Sequence, residues 1–264
     1  MTYCVGLRLD RGLVFMSDTR TNAGLDNIST FRKMASWEVP GERLVTVMTA
    51  GNLATTQSVI SLLDERSKAA SERHPSVLEQ PSMFQVAREV GQTLREVIAS
   101  NAGAGQAAES TFNATMIVGG QIKPGPPRLF LVYPEGNFIE ASEDTPFFQI
   151  GETKYGRPIL VRAYDPAMPF DEAVKLLLVS FDSTIKANLS VGMPIDFQVY
   201  ETDSLRKGAE DRIELGDPYF ATISEGWGEA LRAAFAGLPA FDLPSAQSLA
   251  ERPSRVAAEA RTKD

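Results

Sequence analysis

The sequence predicts an α+β protein in which helices cover the outer faces of two stacked antiparallel sheets, a four-layer αββα sandwich. Two observations support this class. Segments with strand and helix patterns come in groups along the chain and do not alternate, which disfavours a parallel sheet. Each group of helices also needs a sheet face on which to bury its apolar side. No linker composition occurs before residue 240, so residues 1–240 are predicted to form one domain.

The N-terminal part of the chain shows short apolar segments separated by turn residues, the pattern of an antiparallel meander. Asp10-Arg11-Gly12 and Pro40-Gly41 are the clearest turns. The predicted strands and the polar loop that interrupts them are, in order, 3–9, 13–19, the loop 20–30, 31–39 and 43–50.

A helical period begins after Gly51. The predicted helices run from Leu53 to about Arg73, from Met83 to about Ala102, from Pro169 or Phe170 to about Leu189, and over 224–236. The predicted strands between them cover 112–120, 128–133, 137–141, 147–150, 195–200 and 212–215. Residues 241–264 show no period, so this tail is predicted to be disordered or ordered only by assembly.

Composition excludes several classes of function. Lys and Arg number 26 and Asp and Glu 34, a net charge of −8, so no basic surface for nucleic acid is expected. No apolar run approaches the roughly 18 residues that would span a membrane. The start, Met1-Thr2-Tyr3-Cys4, lacks the basic-then-apolar pattern of a signal peptide, so a cytoplasmic location is expected.

Two rare residue types narrow the chemistry further. The chain has one cysteine, Cys4, and one histidine, His74, which excludes an internal disulfide and a zinc site with two histidines. His74 is interpreted as a solvated residue at a helix end. The glycine-rich nucleotide motifs and the GxSxG hydrolase motif are absent. The chemistry of an enzyme made from this chain would therefore come from Ser, Thr, Lys, Asp, Glu or the chain terminus.

Thr2 is the first candidate for catalysis. Removal of Met1 ahead of a small residue would expose an α-amine, whose reference pKa of about 7.7–8 suits a general base near neutral pH. A terminal threonine then carries a hydroxyl nucleophile beside its own base, and its activity should fall as the pH drops below the pKa of that amine. A terminus that is merely processed remains the alternative for Thr2 taken alone.

The first hairpin is predicted to bring an aspartate close to Thr2. A three-residue connection, with Gly12 in the left-handed region, predicts that Cys4 faces Asp18. Thr2 is then the diagonal neighbour of Asp18 on the same face, about 7–8 Å away between Cα atoms. A two-residue turn is disfavoured in this interpretation because it would force Arg11 to positive φ.

Lys33 offers a cation for Asp18. It begins the next predicted strand within the mostly apolar stretch Phe31-Arg32-Lys33-Met34-Ala35. An ammonium near Thr2 would favour the alkoxide and lower the pKa of the terminal amine, and Asp18 would hold that ammonium in place. The alternative is an edge-strand lysine that discourages aggregation.

These features, with Thr49-Ala50-Gly51 leading into a long helix, resemble the β-subunits of proteasomes. The strand and helix order over about residues 1–220 is similar to that Ntn-hydrolase fold, and more narrowly to the bacterial proteasome-like family called Anbu, the ancestral β-subunit. The segments that carry the resemblance are Tyr3-Cys4-Val5-Gly6, Ser17-Asp18-Thr19-Arg20-Thr21-Asn22-Ala23-Gly24, Ile150-Gly151-Glu152-Thr153-Lys154-Tyr155-Gly156 and Asn188-Leu189-Ser190-Val191-Gly192.

The resemblance implies a role for each matching position. Thr2 is implied as the nucleophile with its amine as base, and Asp18 and Lys33 as the supporting pair. Gly51 is implied as the oxyanion donor through its backbone N–H at the mouth of a helix, although a glycine at a strand-to-helix turn also has a plain backbone explanation. Ser190 is implied as a supporting serine, with an ordinary residue at a helix C-terminus as the alternative.

The sequence also departs from the proteasome pattern. The usual motif Arg-Asp-x-x-Ser-Gly is replaced by Asn188-Leu189-Ser190-Val191-Gly192. Lys33 lies one residue closer to the N-terminus than the lysine of proteasome β-subunits, and Glu152 occupies a position where a serine is usual. These departures concern catalytic efficiency more than the fold.

The resemblance implies a threonine-type peptidase or amidase that forms an acyl-enzyme on Thr2 and needs no metal or organic cofactor. It also implies a self-assembled ring or open spiral. Nothing in the chain implies an ATP-dependent unfolding partner. Two alternatives remain open: a proteasome-like scaffold whose site is weak or silent, and an Ntn amidase that acts on a small non-peptide amide.

Overall fold

The computed structural model describes residues 2–22, 28–68, 76–101, 112–241 and 243. In this part of the chain the strands are β1 Tyr3–Leu9, β2 Gly12–Asp18, β3 Arg20–Asn22, β4 Ile28–Thr30, β5 Met34–Val39, β6 Arg43–Gly51, β7 Ala114–Ile122, β8 Arg128–Val132, β9 Phe138–Glu140, β10 Phe147–Gly151, β11 Ile195–Glu201 and β12 Glu210–Ile213. The helices are α1 Leu53–Lys68, α2 Met83–Asn101, α3 Arg157–Ala163, α4 Phe170–Ala187 and α5 Pro218–Ala236.

Two five-stranded antiparallel sheets form the centre of the fold. The first has the strand order β10-β1-β2-β11-β12, and the second has the order β5-β6-β7-β8-β9. A two-stranded ribbon of β3 and β4 is separate from both sheets. The first sheet therefore places the N-terminal strand at an inner position, flanked by β10 and β2.

Three apolar clusters hold the layers together. The cluster between the sheets includes Cys4, Leu13 and Phe15 of the first sheet with Met48, Ile117 and Leu129 of the second. On the second sheet, Val45, Val47, Val118 and Phe130 pack with Val59, Leu63, Val86, Val90 and Leu94 of α1 and α2. On the first sheet, Val5, Val14 and Met16 pack with Leu160, Leu177, Phe181 and Phe220 of α3, α4 and the start of α5. The order of layers is helices, sheet, sheet, helices, which confirms the predicted fold class.

The register of the first hairpin differs from the prediction by one residue. Cys4 pairs with Ser17, not with Asp18, because the turn contains only Asp10 and Arg11 and the ladder continues to Gly12. A two-residue turn was wrongly expected to force Arg11 to positive φ, since in the structure Gly12 takes the positive φ, at +150°. A shift of one residue moves side chains to the opposite face of a sheet, so Asp18 is not the same-face diagonal neighbour of Thr2.

Three further elements differ from the prediction. The region 20–30, predicted as a loop, contains the short strands β3 and β4. The seven-residue helix α3 was not predicted, because it is too short to show a clear period, and its signal is a proline in its first turn. Helix α5 begins at Pro218, where the prediction began at 224.

Other predictions concern parts of the chain beyond these ranges. His74 and residues 244–264 lie outside the described residues, so the interpretations of that histidine and of most of the tail remain predictions. The chain divides into two compact units between Glu225 and Gly226, inside α5. The predicted domain limit at residue 240 stays a prediction.

Among the described residues, no helix combines the length and apolar character needed to cross a bilayer.

Candidate active site

A cleft of about 850 Å³ opens where the N-terminal strand, the start of β5 and the β6–α1 junction meet. Thr2, Lys33 and Gly51 all line it, together with Thr49 and Gly151. Three of the five candidate residues, which are far apart in the sequence, therefore border one cavity. Asp18 lies directly behind Lys33.

Asp18 and Lys33 form a buried ion pair. Lys33 Nζ lies 2.7 Å from Asp18 Oδ1, and the two residues are 6 % and 0 % exposed. Asp18 also accepts the backbone N–H of Tyr3 at 2.9 Å and that of Gly192 at 3.4 Å. Burial raises the pKa of Asp18 above its ordinary value, while the Lys33 ammonium and the two N–H groups act in the opposite direction. The carboxylate is thus held by one cation and two amides.

The Lys33 ammonium has a second acceptor, the carbonyl oxygen of Arg20, at 2.6 Å. These two bonds use two of its three N–H groups and fix the position of the charge at the side of the cleft. The carbonyl of Lys33 accepts the backbone N–H of Thr49 at 2.9 Å, which ties the start of β5 to β6. The cation is therefore fixed at its head and at its backbone.

The backbone of Thr2 is fixed by the end of β10. Its carbonyl oxygen accepts the N–H of Glu152 at 2.6 Å. Gly151 has a φ of +83°, and a Cβ at that position would overlap the Thr2 carbonyl oxygen. A glycine at 151 is thus required for β10 to approach Thr2 this closely.

Gly51 ends β6 and lies in the cleft just before α1 begins. It has a φ of +121°, and a Cβ there would overlap the carbonyl oxygen of Asn113. The backbone explanation for this glycine is therefore confirmed, whatever its chemical role. The next residue, Asn52, caps the helix by accepting the N–H of Thr55 at 3.1 Å.

Ser190 is the candidate that the structure does not bring into the cleft. It follows α4 in a turn where its backbone N–H donates to Asn188 Oδ1 at 2.9 Å. The Asn188 side chain in turn donates to Glu152 Oε2 at 3.0 Å, and the N–H of Lys154 donates to Glu152 Oε1 at 3.3 Å. Two departures from the proteasome pattern, Asn188 and Glu152, thus contact each other beside Thr2. The supporting role of Ser190 stays a prediction.

Several groups that hold the site are absent from the predicted set. They are the backbone N–H groups of Tyr3 and Gly192 and the carbonyl of Arg20, none of which leaves a side-chain signal in a sequence. The Arg20 side chain also donates to the carbonyl of Leu189 at 3.0 Å, which fixes the segment that carries Gly192. For Arg20 a signal existed, since it belongs to the Ser17–Gly24 segment of the resemblance.

Cys4 is close to the site in sequence but has no reactive character. It is fully buried between the sheets, and its thiol donates to the carbonyl of Thr49 at 3.6 Å. Burial raises the pKa of the Cys4 thiol far above its ordinary value. The described residues also contain no group of three or more His, Cys, Asp or Glu side chains that could hold a metal ion.

The fold and the cleft define a proteasome-type protein, and comparison with known families gives the same result. The proteasome subunit family matches residues 2–199, so the chain belongs to that family. A comparison with curated proteins gave no match.

Within that family the chain is similar to solved Anbu structures. A Gly-1 mutant of Anbu from Hyphomicrobium sp. strain MC1 is 50 % identical, with a TM-score of 0.85 over 92 % of this chain and 100 % of that one. Anbu from Yersinia bercovieri is 48 % identical, with the same TM-score and coverage. A helical assembly of the Anbu complex from Pseudomonas aeruginosa is 48 % identical, with a TM-score of 0.84 over 91 % of this chain and 98 % of that one.

Proposed function

We propose that this chain is an N-terminal threonine hydrolase that cleaves peptide or amide bonds once removal of Met1 has freed the amine of Thr2. The observation that carries the proposal is the shared cleft, in which Thr2, Lys33 and Gly51 border one cavity and Asp18 pairs with Lys33. Membership of the proteasome subunit family supports it.

In the proposed reaction the neutral amine of Thr2 takes the proton of the Thr2 hydroxyl, and Oγ1 attacks the substrate carbonyl carbon. The Lys33 ammonium favours the developing alkoxide. The N–H of Gly51 and the positive end of α1 favour negative charge on the carbonyl oxygen. The proton then passes to the leaving nitrogen as the amide C–N bond breaks, and water activated by the same amine hydrolyses the resulting ester.

We further propose that the active form is a homo-oligomer, a ring or an open spiral. The support is the similarity to the Pseudomonas aeruginosa protein, which is described as a helical assembly. Because Thr2 and its partners lie within one protomer's cleft, substitution of Thr2 should leave assembly unchanged.

Thr2→Ala tests the nucleophile. On protein whose loss of Met1 has been verified by intact mass, wild type should be modified once by an epoxyketone-type inhibitor and should hydrolyse peptide substrates. Thr2→Ala should show neither property and should sediment with the same oligomer distribution as wild type. Hydrolysis by Thr2→Ala at the wild-type rate would remove Thr2 from the mechanism.

A silent scaffold is the second candidate, and the contact between Glu152 and Asn188 favours it. Those residues stand where the resemblance implies a serine and part of an Arg-Asp motif, and their side chains satisfy each other. On this account Met1-free wild-type protein assembles but is not modified by the inhibitor. Stoichiometric modification of Thr2 would exclude the silent scaffold.

A further inference from the structure

The cleft around Thr2 differs in charge from the molecule as a whole. The chain carries a net charge of −8, yet Arg32 and Lys33 both line the cleft. None of the described residues that line it is an aspartate or a glutamate. Helix α1 begins at the edge of the cleft and has no acidic residue in its first turn, so the positive end of its dipole is not offset there.

The two cations of the cleft are not equivalent. The Lys33 charge is balanced at 2.7 Å by the buried carboxylate of Asp18. The Arg32 side chain is exposed, and within the described part of the chain its guanidinium has no hydrogen bond or ion pair. Arg32 therefore carries the unpaired positive charge of this wall, and it also borders a neighbouring groove lined by Asp196, Glu210 and Asp211 together with Lys207 and Arg212.

The rest of the described lining is uncharged. It combines apolar residues such as Ala35, Leu53 and Ile60 with the neutral polar side chains of Thr56 and Gln57. A cationic group of a substrate would find no counter-charge on this surface, whereas an anionic group would find the guanidinium of Arg32. A guanidinium also matches a carboxylate in geometry, since it can donate two parallel hydrogen bonds.

We propose that the cleft selects peptide or amide substrates that carry a carboxylate close to the scissile bond, and that Arg32 binds this carboxylate. The inference rests on the proposed function, because it names the substrate class of the same site. It goes beyond that function because it gives the site a preference for negatively charged substrates and assigns that preference to Arg32.

Matched glutamate and glutamine peptides isolate the effect of the charge. Acetylated tripeptide aminomethylcoumarin substrates carry Glu or Gln in turn at each of the three residues on the acyl side of the scissile bond. In at least one position kcat/KM should favour Glu over Gln by about tenfold, the usual effect of one charge-assisted hydrogen bond. This ratio should shrink as the salt concentration rises, because the guanidinium is exposed.

Three variants assign the preference to a residue. Arg32→Gln should bring the Glu-to-Gln ratio close to one, and Arg32→Lys should keep part of it because the charge remains. Arg162→Gln is the matched control, since it removes the same charge from an exposed position on α3 that does not line the cleft. Glu-to-Gln ratios near one at all three positions in wild type, or an unchanged ratio in Arg32→Gln, would overturn the inference.

Failure of the proposed function gives a different result. If hydrolysis persists in Thr2→Ala, or if no peptide is hydrolysed, the threonine mechanism is wrong. Binding of the acetylated tripeptide amides to Thr2→Ala, measured by calorimetry, then decides the inference alone. Tighter binding of the Glu form that is lost in Arg32→Gln supports it, and equal binding of the Glu and Gln forms refutes it.

Discussion

Lys33 and Asp18 form a buried ion pair in which each residue depends on the other. The carboxylate is fully buried, and removal of the cation would leave a charge in a medium of low dielectric. The ammonium reaches both the Asp18 carboxylate and the Arg20 carbonyl, so its position is determined by two acceptors on the segment that joins β2 to β3. The effect of the Lys33 ammonium on Thr2 therefore depends on its fixed position as well as on its charge.

Lys33→Met should abolish inhibitor modification of Thr2 and lower the free energy of unfolding by about 3 kcal/mol, because an unpaired buried carboxylate is left. The double variant Lys33→Met, Asp18→Asn removes both charges. It should regain part of the lost stability, yet remain unreactive. Urea unfolding and intact mass after inhibitor treatment measure the two effects separately. Reactivity restored in the double variant would mean that Lys33 acts only through stability.

At the scale of secondary-structure elements, the end of β10 determines where Thr2 lies. Gly151 and Glu152 both contact the Thr2 carbonyl, one by close approach and one by a hydrogen bond. The end of β10 and the residue after it thus hold the backbone of Thr2 in place.

Gly151→Ala should move Thr2, because a Cβ would overlap the Thr2 carbonyl oxygen. We expect the rate of inhibitor modification to fall at least tenfold. Gly41→Ala is the matched control: its φ of +79° is close to the +83° of Gly151, but a Cβ there would meet no atom within 4 Å. It should cost about 1–2 kcal/mol of backbone strain and leave the modification rate unchanged. Equal rates for the two variants would contradict a positioning role for Gly151.

The same elements show what a sequence can predict. The strands of the two central sheets and three of the long helices followed from apolar periodicity, because burial on one face imposes a period of two or 3.6 residues. The hairpin register did not follow: Gly12 takes a positive φ, as expected, but it still pairs with Leu9, so the turn is one residue shorter than predicted. The ribbon of β3 and β4 has only three residues in each strand, too few for a pattern.

The candidate site was predictable to the extent that side chains form it. Thr2, Asp18 and Lys33 could be proposed from the chemistry of their side chains. The resemblance of the sequence to proteasome β-subunits then assigned a role to each of them. The amides of Tyr3 and Gly192 that hold Asp18 are backbone groups, and their partners are set by tertiary structure. The contact of Asn188 with Glu152 joins residues 36 positions apart and likewise needed the fold.

At the scale of the whole sandwich, the thiol of Cys4 is a probe of whether the two sheets have separated. It is the only cysteine of the chain, and it lies fully buried in the cluster between the sheets. Its folded pKa is raised by burial, so the native state keeps the thiol proton at a pH where the unfolded chain loses it. The unfolded state then binds fewer protons, and stability must fall as the pH rises above the ordinary pKa of a thiol, about 8.5.

The free energy of unfolding should therefore drop by about 1 kcal/mol between pH 7.5 and 9.5 on account of Cys4 alone. Cys4→Ala should be less stable at pH 7.5 because it leaves a small cavity, but its stability should fall less over the same range. Urea unfolding of both proteins at the two pH values gives the comparison.

In parallel, a disulfide reagent at pH 8 should label the Cys4 thiol of native wild type only as fast as the sandwich opens, and should label it at once in urea. Rapid labelling of the native protein, or the same pH dependence in Cys4→Ala, would show that the thiol is not sealed between the sheets.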